Sequence, residues 1–299
     1  MKIHNQVLGW AMRIGYAARG LVYLIIGALA AFAAINGGEA EGTGGALAYL
    51  ARQPFGKFLL ATVAAGLFTY AIWRALDALL DLEDEGNDPA GIGNRVGQFM
   101  SGATHAVLGY TALMIVIGVS SGGGNGAEDS SEMVMNYPGG RLLVIGAGLT
   151  TGAVAIYLAI KSCRSNWKDK IRDTKLTEML MPYVRFGLMS HGVVLLLIAG
   201  MLIWAGVTID SDKAAGLEEA LTILERQAFG RIILFVTGIG LIGFSTYCFV
   251  YAGYRIVPKL AGRDERPLSA AMNGNGEDDP QDDRSKRDFR DQQPAPTPE

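Results

Sequence analysis

Few residues in this chain combine reactive chemistry with a setting that would put it to use. Arg19, Asp77, His105 and His191 are ionisable groups inside or at the end of long apolar runs. An unpaired charge at that depth in a bilayer costs about 3 kcal/mol or more. Arg19 lies about 9 Å along a helix past Arg13, at 1.5 Å per residue. It can therefore snorkel to the interface, or pair with Asp77, which ends the next apolar run at a similar depth. His191 stands in its segment where Arg19 stands in the first, with Ser101 at that place in between, and Tyr251 ends the following run. The same logic predicts a neutral His191–Tyr251 pair. His105 lies one turn deeper, where the first segment has Tyr23, and is expected to hydrogen-bond a neighbouring helix. The alternative is that Arg19, His105 and His191 converge and line a polar path. Haem ligation by His105 and His191 suits the residue type, but their unequal depths argue against it, and no cofactor is expected.

No constellation for catalysis accompanies these groups. Gly238-x-Gly240-x-x-Gly243 matches a dinucleotide fingerprint in letters. It sits inside an apolar run with no preceding strand, so close helix packing is the reading it supports. Gly122 to Gly126 lacks the Lys-Ser/Thr of a phosphate loop. His-Glu-x-x-His, Cys-x-x-Cys and Gly-x-Ser-x-Gly are absent, and Cys163 and Cys248 imply no disulfide framework. We expect no enzyme, no catalytic residue and no metal site. A net charge of −3 argues against nucleic acid as a partner.

Six apolar runs must position the polar groups: Gly15 to Ile35, then about 58–76, 96–119, 142–160, 186–207 and 232–256. Each approaches the ~20 residues a membrane-spanning helix needs. Hydrophobic residues make up 50% of the chain and charged residues 18%; the mean hydropathy is +0.24. Residues 46–51 and 214–225 are amphipathic and too short to span, and are expected to lie at the interface ahead of the even-numbered spans. From residue 261 the composition turns to Asp, Arg, Gln, Pro and Glu, which predicts a disordered tail over 261–299.

The runs fall into pairs. Arg13-x-Gly15, Gly20 and Gly27 open the first; Arg95-x-Gly97, Gly102 and Gly109 the second; Arg185-x-Gly187, Gly192 and Ala199 the third. The even spans open with Gln53-Pro54-Phe55-Gly56-Lys57, Tyr137-Pro138-Gly139-Gly140-Arg141 and Gln227-Ala228-Phe229-Gly230-Arg231. Self-similarity of this kind marks a repeat architecture. These motifs resemble the bacterial DUF1206 family over residues 10 to 260. The resemblance implies an all-α membrane protein with six transmembrane helices, built as three parallel two-helix hairpins of unknown function. We place the hairpins at 10–82, 95–161 and 182–260. It carries no site residues across.

Lys161, Arg164, Lys168, Lys170, Arg172 and Lys175 crowd one connection, whereas 36–51 and 120–140 have no Lys or Arg before Arg141. Basic residues concentrate on the cytoplasmic side, so both termini are expected inside the bacterial cytoplasmic membrane. The function expected first is a non-catalytic structural or partner-binding protein of the bilayer, alone, with a membrane partner or as a homo-oligomer. The second is a small-solute or ion pathway near Arg19, His105 and His191. Parallel repeats suit one, although the Pro-x-Asp/Glu-x-x-Lys/Arg signature of mitochondrial solute carriers does not end the odd spans.

Overall fold

The computed structural model describes residues 2–37, 41–119, 131, 134–164, 171–172, 174–208, 214 and 216–256. Its ordered elements are α1 (Lys2–Asn36), α2 (Thr43–Arg52), α3 (Gly56–Leu80), α4 (Pro89–Val116), α5 (Gly140–Cys163), α6 (Lys175–Thr208), α7 (Leu217–Glu225) and α8 (Gly230–Tyr254). Six of them, all but α2 and α7, are long and apolar enough to cross a membrane. Their outward faces carry large apolar side chains such as Phe32, Ile72, Leu79 and Leu142. A contiguous apolar exterior of this kind is what lipid covers. The chain is a multi-pass all-α membrane protein of three two-helix repeats, with short helices ahead of the second and sixth spans. The counterpart ahead of the fourth span, and the expected tail, lie largely or wholly outside the described residues.

Local chemistry sets the element ends. Asp88 caps α4 by accepting from the Gly91 amide at 3.1 Å, with Pro89 at the first helical position. Thr174 and Thr177 cap α6 reciprocally, each hydroxyl accepting from the other's amide at 3.1 and 3.0 Å. That cap starts the helix well ahead of the apolar run, and Pro182 lies within it. The turn into each even span has one form. Phe55, Gly139 and Phe229 adopt positive φ of 59°, 83° and 60°. Gly56, Gly140 and Gly230 follow, and there a Cβ would collide with carbonyls of the preceding segment (Ala51, Val134 and Glu225). The recurring Phe/Gly-Gly-Lys/Arg motif is thus a tight turn. Phe55 and Phe229 are 85% and 80% exposed, as aromatic side chains at a lipid interface commonly are.

The spans are joined by contact in the order α4, α3, α1, α8, α6, α5. The most extensive packing is between repeats, an even span against the next odd one: α3 on α4, α5 on α6 and α8 on α1. The glycines of the odd spans make these approaches possible. A Cβ at Gly27 would lie 2.7 Å from the Gly238 carbonyl on α8, one at Gly102 3.1 Å from the Ala71 carbonyl on α3, and one at Gly192 3.1 Å from the Ala155 carbonyl on α5. Gly238, Gly240 and Gly243 meet Gly27, Ser190 and Gly187, so the nucleotide-like letters are packing surface. Arg95 adds hydrogen bonds of 2.6 and 3.2 Å to the Ala78 and Leu79 carbonyls at the end of α3.

Packing within a repeat depends on the glycine of Arg-x-Gly. Gly15 abuts Tyr70 of α3, and Gly187 abuts Gly243 and Phe244 of α8, whereas Gly97 meets nothing within 4 Å among the described residues. Accordingly α1 packs on α3 and α6 on α8, but α4 and α5 share no comparable contact among the described residues. The second repeat is a hairpin in sequence whose helices stand apart, and the six spans form an arc left open there. At the end away from the termini, α2 and α7 bury Leu47 and Leu221 in one apolar cluster with Ile26, Leu60 and Leu234. There Gly42 sits against Glu218, so a Cβ would lie 2.6 Å from that of Glu218. These short helices cap that end of the arc.

Candidate functional site

All six spans contribute polar or aromatic side chains to one cluster on the concave side of the arc. Nearest the termini, Arg74 donates to Asp77 at 2.9 Å, to Glu83 at 3.4 Å and to the Tyr16 hydroxyl at 2.6 Å. Arg255, just past α8, donates to the same Tyr16 hydroxyl at 2.6 Å and forms an ion pair with Glu83. Its guanidinium also lies over the Tyr251 ring at 4.4 Å. Burial opposes the Arg255 charge, but Glu83 and the phenols of Tyr16 and Tyr251 outweigh it and hold its pKa above the ordinary value. The adjoining backbone is tied in as well, with the Arg172 amide donating to the Tyr254 carbonyl at 2.7 Å. From α5, Lys161 donates to the Tyr247 hydroxyl at 3.0 Å. This layer links the first repeat to the third by charge-assisted bonds, the stronger kind.

One layer deeper sits Arg19. It donates to the Tyr70 hydroxyl at 2.7 Å, and Arg74 Nε donates to that hydroxyl at 3.1 Å. Having accepted from both, Tyr70 directs its own hydrogen to Ser101 Oγ on α4, 3.3 Å away. The Arg19 guanidinium is framed by the rings of Phe244, Tyr70 and Tyr23 at 5.0, 5.3 and 5.6 Å. His105 of α4 lies 4.6 Å from Tyr70, and its Nδ1 is 2.7 Å from the Ser101 carbonyl. His191 of α6 stacks on Phe244 at 3.9 Å and meets Tyr23 edge-on at 4.9 Å. Arg19, Val22, Tyr23, Thr43, Leu67, His105 and Leu108 enclose a cavity of about 10 Å³, room for one water-sized occupant.

The expected pairings are corrected by this geometry. No ion pair joins Arg19 to Asp77 among the described residues. Arg74 intervenes: it sits on the same helix three residues before Asp77 and claims the carboxylate. Arg19 turns instead to Tyr70. His191 does not pair with Tyr251, because rotation about α6 and α8 sets it on Phe244, while Tyr251 packs on Tyr16 and Tyr247 at 5.4 and 4.3 Å. His105 hydrogen-bonds within its own helix rather than across. Arg19, His105 and His191 do gather around Tyr23, Tyr70 and Phe244. Arg74, Glu83 and Arg255 escaped sequence reasoning, although Arg74 stands inside an apolar run at a spacing from Asp77 that puts both on one helix face. Among the described residues no group of three His, Cys, Asp or Glu could hold a metal ion.

The sequence profile of the family described as Domain of Unknown Function (DUF1206) matches residues 14–81, 96–165 and 186–255. A protein of Bacillus subtilis (strain 168), described as uncharacterized protein YxxB, is 30% identical over 263 residues, covering 85% of this chain and 94% of its own. No solved structure matches.

Proposed function

The chain belongs to the DUF1206 family, and from that premise and the cluster geometry we propose a non-catalytic membrane protein that gives a small solute a path between its repeats. The observation that carries this reading is the meeting of Arg19, His105 and His191, one from each repeat, beside a cavity in the arc. Each keeps a buried polar atom without a partner among the described residues: Arg19 Nε, His105 Nε2 and His191 Nδ1. A scaffold would gain from a dry Gly/Ala centre with every polar group satisfied inside its own hairpin. Here the bonds run across repeats, and buried polar atoms without partners destabilise a core. On this reading the Arg74–Glu83–Arg255 layer closes one end and α2 and α7 close the other, an occluded state of a pathway built on parallel repeats. The basic connection at 161–175 supports placing the termini-bearing end in the cytoplasm of a bacterial inner membrane.

A structural or partner-binding role is the second reading, and one observation favours it: among the described residues α4 and α5 do not pack on each other as the other neighbouring spans do. Flux assays on proteoliposomes of the full chain separate the two. The pathway reading expects ion or small-solute flux that falls several-fold in Arg19→Leu. Flux no greater than in empty vesicles, from monodisperse protein, would leave the partner-binding reading.

A further inference from the structure

We propose that the opening between α4 and α5 is a lipid site: it takes an acyl chain of a phospholipid from the leaflet on the side of the termini, and Met100 and Thr150 hold it open. The site stands whether or not the protein carries a solute. The two closed hairpins show what closure requires. Besides the contacts of Gly15 and Gly187, each has a second close approach. A Cβ at Gly66 of α3 would lie 2.4 Å from that of Ala18 on α1, and one at Gly240 of α8 would lie 2.1 Å from Ser190 Oγ on α6. A glycine on the even span facing a small residue on the odd span lets the helices come this near. The coordinates of these hairpins give two positions of the second repeat their meaning. Ala18, Met100 and Ser190 each lie three residues past the Arg-x-Gly glycine. Gly66, Thr150 and Gly240 each lie ten residues past the turn glycine, which is Gly56, Gly140 or Gly230. The second repeat therefore sets Thr150 against Met100 where the others set Gly against Ala or Ser. Closing it to the same distance would drive the two side chains into each other.

The chemistry of the walls selects the occupant. Gly93, Gly97 and Met100 share one face of α4, four and three residues apart, and neither glycine meets anything within 4 Å among the described residues. The same two helices carry exposed Val96, Val107, Leu149 and Ile156, so the opening runs on from the face that lipid covers. The hydroxyls here are spent within their own helices. Thr104 donates to the Met100 carbonyl at 3.0 Å, and Thr150 and Thr151 donate to the Gly146 and Ala147 carbonyls at 2.8 Å. Water in such a slot would lack the polar partners it needs, and an empty slot would forfeit dispersion contacts on both walls. A partner helix would need small residues where its backbone approaches, and Met100 and Thr150 stand there instead. An acyl chain needs no such match, and the flexible Met100 side chain adapts to it. Gly93 to Met100 lie near the start of α4, which is on the side of the termini, and this sets the leaflet.

The test is electron paramagnetic resonance of a nitroxide at Gly97→Cys. The full chain also carries Cys163→Ser and Cys248→Ala and is reconstituted in vesicles of phosphatidylethanolamine and phosphatidylglycerol. Collisions with oxygen, which concentrates in hydrocarbon, and with a water-soluble nickel chelate identify what surrounds the label. A nitroxide at Ile156→Cys, on an exposed position of α5, serves as the lipid-facing reference. Oxygen access at position 97 should match that reference, and nickel access should fall several-fold below it. High nickel access means that water fills the opening and overturns the proposal. Low access to both means that protein fills it, a second copy or another partner, and overturns the proposal in favour of the partner-binding reading. A second measurement addresses Met100 and Thr150 without a label. Val154 lies fourteen residues past Gly140, as Tyr70 does past Gly56, and a Cβ at Gly15 would lie 2.7 Å from that of Tyr70. In the same cysteine-free background, oxidation should cross-link Gly97→Cys/Val154→Cys several-fold faster once Met100→Ala/Thr150→Gly is added, because closure brings the two Cβ atoms within the roughly 3.5–4.5 Å that a disulfide spans. Equal rates in variants that elute as the parent does would show that Met100 and Thr150 do not hold the hairpin open.

Discussion

Arg74 holds together more of the polar cluster than any residue the sequence pointed to. Its guanidinium serves Asp77, Glu83, Tyr16 and Tyr70 at once. Asp77 is 0% exposed, and its Oδ1 has no partner among the described residues. Arg74→Leu should cost about 3–5 kcal/mol, the range for stranding a buried charge. Asp77→Asn should cost less, since Arg74 keeps its other acceptors. The double change Arg74→Leu/Asp77→Leu should be milder than the sum of the two Leu singles, as in any pair that acts as a unit; chemical denaturation in detergent measures all of them. The depth of Arg19, His105 and His191 was legible in the sequence, because position along an apolar run gives depth directly. Their partners were not legible. Pairing depends on rotation about each helix axis, which a run of apolar residues around the whole circumference leaves unspecified. Matching depths pointed from Arg19 to Asp77 across the hairpin, but the nearer solution lay on the helix of Asp77 itself.

At the level of the helices, equivalent glycines separate by what they touch. Gly27 approaches the α8 backbone, whereas Gly97 approaches nothing within 4 Å among the described residues. Gly27→Leu should destabilise by about 1–3 kcal/mol or more, as overpacking does, and Gly97→Leu should leave the melting temperature nearly unchanged. Equal losses at both sites would mean that α4 and α5 close upon each other in solution. The glycine stripe was readable as a packing face, since small residues at this spacing admit a neighbouring backbone. Which neighbour it admits was not readable: the hairpin partner is the default expectation, but Gly27 instead meets the last span. The Phe-Gly-Lys/Arg turn was visible as a repeated motif. Its cause, a positive φ followed by a Gly pressed against a carbonyl, needs coordinates.

For the molecule as a whole, the number of spans and of repeats followed from periodic motifs, and the fold agrees with both. Orientation is open to direct measurement. Reporter fusions at Arg164 and after Ile256 should read cytoplasmic, and one at Gly42 should read external; Arg164 and Gly42 on the same side would refute the placement drawn from the basic connection. The open seam between α4 and α5 could not be foreseen. The sequence of the second repeat still carries Arg95-x-Gly97, the motif that closes the hairpin in the other two repeats, and only the empty surroundings of Gly97 reveal that it does not do so there.

The contact of α1 with α8 constrains how the protein is made. Gly27 lies against Gly238, and Tyr16 accepts from Arg255, so the first helix to leave the ribosome finds its main neighbour only when the last one arrives. Until then α1 can settle against α3, but its Gly20–Gly27 face has nothing to receive it. Arg19 also waits for Phe244, which closes one side of its aromatic frame. Membrane insertion can proceed hairpin by hairpin, yet the lateral docking that seals the arc is a post-synthetic event of long sequence separation, the slow kind of contact. A nascent chain released short of Gly230 would hold every span but the last in the bilayer and lack the bond that joins its beginning to its end. Such a product would offer a quality-control protease an unsealed glycine face as its mark of incompleteness.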